Sequence, residues 1–223
     1  MERASGGPVT GVEDDQRWSL VIPVKRLTAA KSRLAPSVGR HRAELALAVA
    51  SDTVMAAVEC PRVIEVIVVT DDPLAAGALA DLGARPVADE PDAGLNPALR
   101  HGAAVAAGLH PGSGVCALSA DLPALRPAEL DRVLAAAARH EHAFLADAPG
   151  VGTTLYAAAS GGEFRPAFEG RSRERHRAGG AAEIDLVDVP GARRDVDTLS
   201  DLREAARLGV GPHTAKLLAR LSL

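Results

Sequence analysis

The sequence predicts a single α/β domain with a mixed, mainly parallel central sheet and helices on both faces. Three observations carry that expectation. Aliphatic, β-branched runs of the kind buried on both faces of a parallel sheet alternate with helix-length segments for three consecutive β-α steps. Such steps close by right-handed crossovers into an open sheet. In the second half the alternation gives way to shorter strand-like runs separated by loops, which makes the sheet mixed. The body has no internal repeat or low-complexity linker, so one domain should span residues 18–223.

The elements follow in order. The first 17 residues, "MERASGGPVTGVEDDQR", contain no apolar stretch and read as a disordered tail, neither a signal peptide nor a membrane anchor. "WSLVIPV" (18–24) is a short buried strand that runs into a basic loop. "RAELALAVASDTVMAAVE" (42–59) has helical spacing through Leu45, Val49 and Val58. "VIEVIVVTDD" (63–72) is a β-branched strand ending in two acids, and "PLAAGALADLG" (73–83) is a helix that Gly83 ends. "GLNPALRHGAAVAAGL" (94–109) opens a helix with Asn96 as N-cap and Pro97 at the first helical position. "GVCALSADLPAL" (114–125) is the next strand, and "RPAELDRVLAAAARH" (126–140) again starts a helix on proline. "HAFLADA", "GTTLYAAA" and "IDLVDVPG" (184–191) are further strand candidates. "DVDTLSDLREAARLG" (195–209) becomes a helix capped by Thr198 with Asp201 in the first turn, and "PHTAKLLARL" closes the chain as a last helix.

Composition removes several function classes. Nearly half the residues are apolar but only 2% are aromatic, so Ala, Val, Leu and Ile must build the core. A net charge of −4 without a basic run argues against a general nucleic-acid binder. Cys60 and Cys116 lie far apart, which disfavours a disulfide framework or a zinc site. No segment reaches the length of a membrane span, so a cytoplasmic protein is expected.

Chemistry should gather at the carboxyl ends of the strands. The loop after the first strand holds Lys25, Arg26, Lys31 and Arg33, and two of the chain's three lysines fall there against twenty-two arginines overall. Lysine is a compact, mobile point charge suited to a phosphate chain that changes shape. Asp71, Asp72 and Asp121 end strands at the same edge. Asp121 could serve a metal or could cap the helix that follows. Asp195 and Asp197 are two apart on an extended segment, so both carboxylates point to one face and repel unless a cation lies between them. Magnesium is the natural cation there.

Ser172 and His176 are four apart, but no GxSxG elbow surrounds the serine. With five cations in 171–177, counting His176 if protonated, an anion-binding segment is the better reading. "GVGTTL" adds Thr153, Thr154 and glycine amides for a carboxylate or phosphate. The absence of GxxxxGK[ST] excludes a P-loop enzyme. The β-α half should take a nucleotide and the second half an acceptor.

The segments "IPVKRLTAAKSRLAP", "VIVVTDD", "GLNPAL", "SADLPAL", "GTTL", "RSRERHRAGGA" and "DVDTLSDLREAARLGVGPHTA" together resemble the guanylyltransferases of coenzyme F-420 biosynthesis. That family acts on 2-phospho-L-lactate or, in actinobacteria, phosphoenolpyruvate. The likeness runs from about Ser19 to the C-terminus. It implies a Rossmann-like nucleotidyltransferase fold similar to the molybdenum-cofactor guanylyltransferases, and transfer of GMP from GTP with release of pyrophosphate. By resemblance, Asp121, Asp195 and Asp197 would hold magnesium, and Thr153, Glu169 and Ser172 would hold the phospho-acid, largely through backbone groups. Lys25, Lys31, Asp72 and Asn96 are the candidate contacts to GTP, with Lys31 on a first helical turn gripping the triphosphate. Lys25, Lys31 and Asp121 would be the catalytic set.

The chain departs from the family at Phe168-Glu169-Gly170-Arg171-Ser172, where Phe-Gly-Pro-x-Ser is usual. The expected partners are GTP and a small phospho-carboxylic acid, with no nucleic acid and no membrane. A homodimer and a hand-over of product to the downstream transferase stay open. The alternatives are another phosphorylated acceptor (3-phosphoglycerate, a sugar phosphate, molybdopterin) or a non-catalytic nucleotide-binding regulator. The short cationic 165–177 segment favours a small acidic acceptor over a neutral sugar.

Overall fold

A computed structural model describes residues 16–34, 38–90 and 92–221. All but Gln16 and Arg17 of the tail expected at 1–17 lie outside the described residues. The first half is the anticipated series of β-α steps: β1 (Trp18–Pro23), α1 (Arg42–Val58), β2 (Val63–Val69), α2 (Pro73–Ala80), β3 (Arg85–Val87), α3 (Leu95–Leu109), β4 (Gly114–Leu118) and α4 (Pro127–Ala137). The second half holds β5 (His142–Ala146), β6 (Thr153–Ala158), α5 (Ser172–Ala178), β7 (Ala182–Glu183), α6 (Pro190–Arg193), α7 (Leu199–Leu208) and α8 (Pro212–Leu221).

Among the described residues, seven strands form one sheet in the order β3-β2-β1-β4-β6-β5-β7. β1 runs parallel to β2 and β4, while β6 is antiparallel to both β4 and β5. One reversed strand therefore makes the sheet mixed and mainly parallel. Alternate residues of β1 feed two cores. Leu20 and Ile22 join Val66, Val68, Leu118 and Leu145 beneath α1, α2 and α4, while Val21 joins Ile67, Val69, Phe144 and Tyr156 beneath α3. Helices thus cover both faces, as strands that are apolar on both sides require. A third cluster seats α7 and α8 on α1 through Leu202, Leu217, Leu45 and Val49.

Local signals set most ends. Asp72 caps α2, its Oδ1 accepting from the amides of Leu74 and Ala75. Thr198 and Asp201 form the expected capping box on α7. Three expectations need correction. Asn96 does not cap α3: Gly94 occupies the cap at φ +101°, and the helix takes in Leu95 and Asn96. The strand expected over 184–191 shrinks to Ala182–Glu183 just before it. Ile184 is buried but Val187 is 91% exposed, so the run has no sheet to lie on, and Pro190 starts α6 instead. β3 escaped the sequence reading because "RPV" is three residues long and contains proline.

Candidate active site

The carboxyl ends of β1 and β4, the 147–153 turn and the 168–172 turn enclose a cleft of about 860 Å³. Lys25, Lys31, Asp121, Thr153, Glu169, Ser172, Asp195 and Asp197 all line it. Residues up to 172 positions apart in sequence therefore share one cavity.

Lys31 is not on a helical turn. It adopts φ +53° in the loop after β1, and its ammonium lies 2.5 Å from Asp121 and 3.4 Å from Asp197. Its side chain is only 10% exposed. Burial works against the ammonium, but the attraction of Asp121 and then Asp197 outweighs it and holds its pKa above the ordinary lysine range. Lys25 lies on the same wall and is exposed. Arg33 reaches Asp197 at 3.5 Å across solvent.

Asp121 does not cap a helix, since α4 begins six residues later at Pro127. Its backbone carbonyl accepts from the amide of Val196 at 3.1 Å, which lays the 194–197 segment alongside the end of β4. Val196 is wholly buried, so its two neighbours, Asp195 and Asp197, face the cleft together. Burial, then Asp121, Asp147 and Asp197, push the Asp195 carboxyl up to about 7.

Asp147 was not anticipated from sequence. It follows β5, and its carboxylate accepts from the amides of Val151 and Gly152 at 2.8 and 2.7 Å. Its one sequence signal is an acid ending a strand, the same pattern that marked Asp72 and Asp121. Hard oxygen donors that are partly buried and repel one another suit a dication such as magnesium. Asp121, Asp195 and Asp197 do not close within 4.8 Å of one another; among the described residues only Asp71, Asp89 and Asp92 do so. Lys31 stands between Asp121 and Asp197, so a metal there would share the aspartates with the ammonium.

The other wall holds the acceptor candidates. Thr153 opens β6 and Ser172 opens α5, and both are nearly buried at the cleft. Glu169 has φ +82°, a conformation that glycine enters freely and other residues at a cost. The glycine usual at this position in the resembled family therefore has a backbone reason. Among the described residues no arginine pairs with Glu169. Arg171 bonds Glu174 at 2.9 Å, while Arg173 and Arg177 both bond Glu183. Three of the four arginines of 171–177 are thus engaged by two glutamates, while Arg175 pairs with no carboxylate among the described residues and lies beside Gly170 of the acceptor turn. Thr154 also leaves the cleft: it alternates away from Thr153 and donates to the Ala192 carbonyl at 2.7 Å.

A serine–histidine pair is excluded by the ring nitrogens of His176, which engage Thr153 at 3.0 Å and the amide of Ala167 at 2.9 Å rather than Ser172. Two nucleotide candidates have structural duties. Asp72 also accepts from the amide of Leu27 at 2.9 Å, which fastens the basic loop to α2. The Asn96 amide brackets Phe168, donating to its carbonyl at 3.1 Å and accepting from its amide at 2.8 Å. Asn96 thereby supports the acceptor turn.

The sequence pattern of the family described as guanylyl transferase, CofC like, matches residues 18–223. The phosphoenolpyruvate guanylyltransferase of Thermomonospora curvata is 60% identical over 212 residues, which cover 95% of this chain and 93% of that protein. The phosphoenolpyruvate guanylyltransferase of Streptomyces coelicolor is 59% identical, covering 92% and 97%. A solved protein of the nucleotide-diphospho-sugar transferase type from Desulfovibrio desulfuricans G20 shares the fold, with a TM-score of 0.67 at 17% identity over 93% of this chain and 96% of that one. Matched by the family pattern over residues 18–223 and 60% identical to a relative over 95% of its own length, the chain belongs to the CofC-like guanylyl transferase family.

Proposed function

We propose that this protein transfers the guanylyl group of GTP to the phosphate of phosphoenolpyruvate, releasing pyrophosphate, in the biosynthesis of coenzyme F-420. The observation that carries the reading is the single cleft in which Lys25 and Lys31 face Asp121, Asp195 and Asp197, with Thr153 and Ser172 opposite. The two relatives near 60% identity, both phosphoenolpyruvate guanylyltransferases, support the choice of acceptor. With Arg171, Arg173 and Arg177 paired to glutamates, acceptor choice rests on the turn, Thr153 and the remaining cation, Arg175.

In this mechanism Lys25 and Lys31 neutralise the triphosphate, and Lys31 is held at the aspartates so that its charge is in place before substrate arrives. Asp121, Asp195 and Asp197 would hold magnesium, which supplies charge neutralisation at the phosphates. The 168–172 turn and Thr153 orient the acceptor so that its phosphate oxygen lies in line with the α-phosphorus of GTP. A bond forms from that oxygen to the α-phosphorus, the bond to the bridging oxygen of the β-phosphate breaks, and pyrophosphate leaves with the electron pair. The acceptor oxygen is already ionised at neutral pH, so no general base is required.

The test is incubation with GTP and magnesium plus phosphoenolpyruvate, 2-phospho-L-lactate or 3-phosphoglycerate in turn. Pyrophosphate release and the mass of the guanylylated product are followed. The reading expects turnover with phosphoenolpyruvate to exceed the others, and release with none of the acids would overturn it.

A further inference from the structure

The chain has five aromatic residues, and three of them pack on one histidine. Tyr156 stacks on the His176 ring at 4.7 Å, Phe168 meets it edge-on at 5.2 Å, and Phe144 lies at 5.7 Å. Phe164 closes the box against Tyr156 at 5.6 Å. Apart from Trp18, the core elsewhere is aliphatic, and the histidine these rings hold is 2% exposed.

The hydrogen bonds of that ring fix its proton. The amide of Ala167 can only donate, and it points at Nε2 from 2.9 Å, so Nε2 must carry a lone pair. A neutral imidazole with a free Nε2 has its proton on Nδ1. Nδ1 lies 3.0 Å from the hydroxyl of Thr153, which is therefore the acceptor in that contact. The hydrogen of the Thr153 hydroxyl must then go elsewhere. No second partner for this hydroxyl exists among the described residues, and Thr153 lines the cleft.

We propose that His176 is the positioning residue of the acceptor pocket. It forces Thr153 to present a hydrogen-bond donor to an anionic oxygen of the acceptor, and it pins the 167–168 backbone that leads into the acceptor turn. The proposal rests on the guanylyl-transfer reading for the identity of the acceptor, but not for the polarity of the hydroxyl. Burial, and then the Arg175 charge, push the imidazole down to about 4, which agrees with a ring kept neutral.

The experiment separates the two bonds. In His176→Asn the side-chain amide can take the place of Nδ1–H and still donate to Thr153. In His176→Gln the longer amide reaches toward Ala167 and abandons the threonine. His176→Gln and Thr153→Val should each raise the phosphoenolpyruvate KM about tenfold or more, the loss expected for a hydrogen bond to a charged group, with the GTP KM within about twofold. His176→Asn should recover most of the acceptor affinity. Combining His176→Gln with Thr153→Val should add little to either alone.

A merely structural histidine would move both Michaelis constants together, with losses that multiply in the double variant, and that result would overturn the proposal. Nitrogen-15 NMR of labelled His176 in the intact protein should report the Nδ1–H tautomer. An Nε2–H tautomer would overturn the assigned polarity whatever the kinetics. If NMR finds Nδ1–H but no phospho-acid supports pyrophosphate release, it is the proposed reaction that fails, and not the hydroxyl's polarity.

Discussion

Asp195→Asn should make the metal-free protein more stable at pH 8 while abolishing turnover. In the fold the Asp195 carboxyl, buried beside Asp121, Asp147 and Asp197, is pushed up to about 7, against about 3.9 for an unfolded aspartate. Between those values the folded state binds more protons than the unfolded one. Stability attributable to this group therefore falls as pH rises through the window, and above pH 7 the ionised carboxylate is a full penalty. A gap of about 3 pH units at about 1.4 kcal/mol each sets an upper limit of about 4 kcal/mol. Asp195 is only half-buried at the cleft, so screening by water brings the expected penalty to about 1–2 kcal/mol.

Asparagine keeps the shape and removes the charge. For a domain of this size that corresponds to a rise in Tm of about 2–8 °C at pH 8. At pH 5, part-way up the window, the gap should be smaller than at pH 8, and it should vanish only at about pH 3.5, below the unfolded pKa. The assay is thermal unfolding in chelator at both pH values, alongside pyrophosphate release with magnesium. Added magnesium should raise the wild-type Tm more than that of the variant, since binding to the folded state stabilises by mass action. Equal melting at pH 8, or a larger gap at pH 5 than at pH 8, would refute the repelling-carboxylate argument. Near-wild-type turnover at low magnesium would refute the proposed metal role.

Glu169→Gly should raise stability by up to about 1 kcal/mol in chemical denaturation, because Glu169 sits at φ +82°, and should leave the phosphoenolpyruvate KM equal or lower. Glu169→Ala should show no such gain, since alanine keeps the strained Cβ; equal gains from both would mean that charge rather than backbone matters. Lys31→Ala removes the cation between Asp121 and Asp197 and should cost about 3 kcal/mol of stability at neutral pH, together with a higher KM for GTP. An unchanged KM for GTP would detach Lys31 from the nucleotide. Gly191→Ala would place a Cβ 2.2 Å from the Ala124 carbonyl oxygen, so α6 must move. A loss of about 1–3 kcal/mol should then accompany reduced turnover, because α6 leads directly into Asp195; a variant that melts and turns over like wild type would show that this close approach is not needed.

Much of the fold was legible because its signals are short-range. Doubly apolar strands, proline at the starts of α2, α4 and α8, and the Thr198–Asp201 capping box each lie within a few residues of what they determine. The motif residues were legible too, since an acid at the end of an apolar run sits at the sheet's carboxyl edge wherever the chain goes next. What sequence could not supply is who meets whom.

Lys31 looked like a helix-start lysine until β1 and β4 came side by side and brought Asp121, ninety positions away, to 2.5 Å. The arginines of 171–177 looked free until β7 paired with β5 and delivered Glu183 to two of them. Asn96 looked like a cap and instead holds Phe168, and His176 looked like one more surface cation until Tyr156, Phe144 and Phe168 closed on it. Residue type and local spacing determined that this chain would carry an acidic strand edge and a basic loop. Only the tertiary structure decided which charges neutralise one another and which ring nitrogen holds the proton, because Coulomb attraction and hydrogen bonding depend on distances of a few ångströms that strand order, not sequence separation, sets.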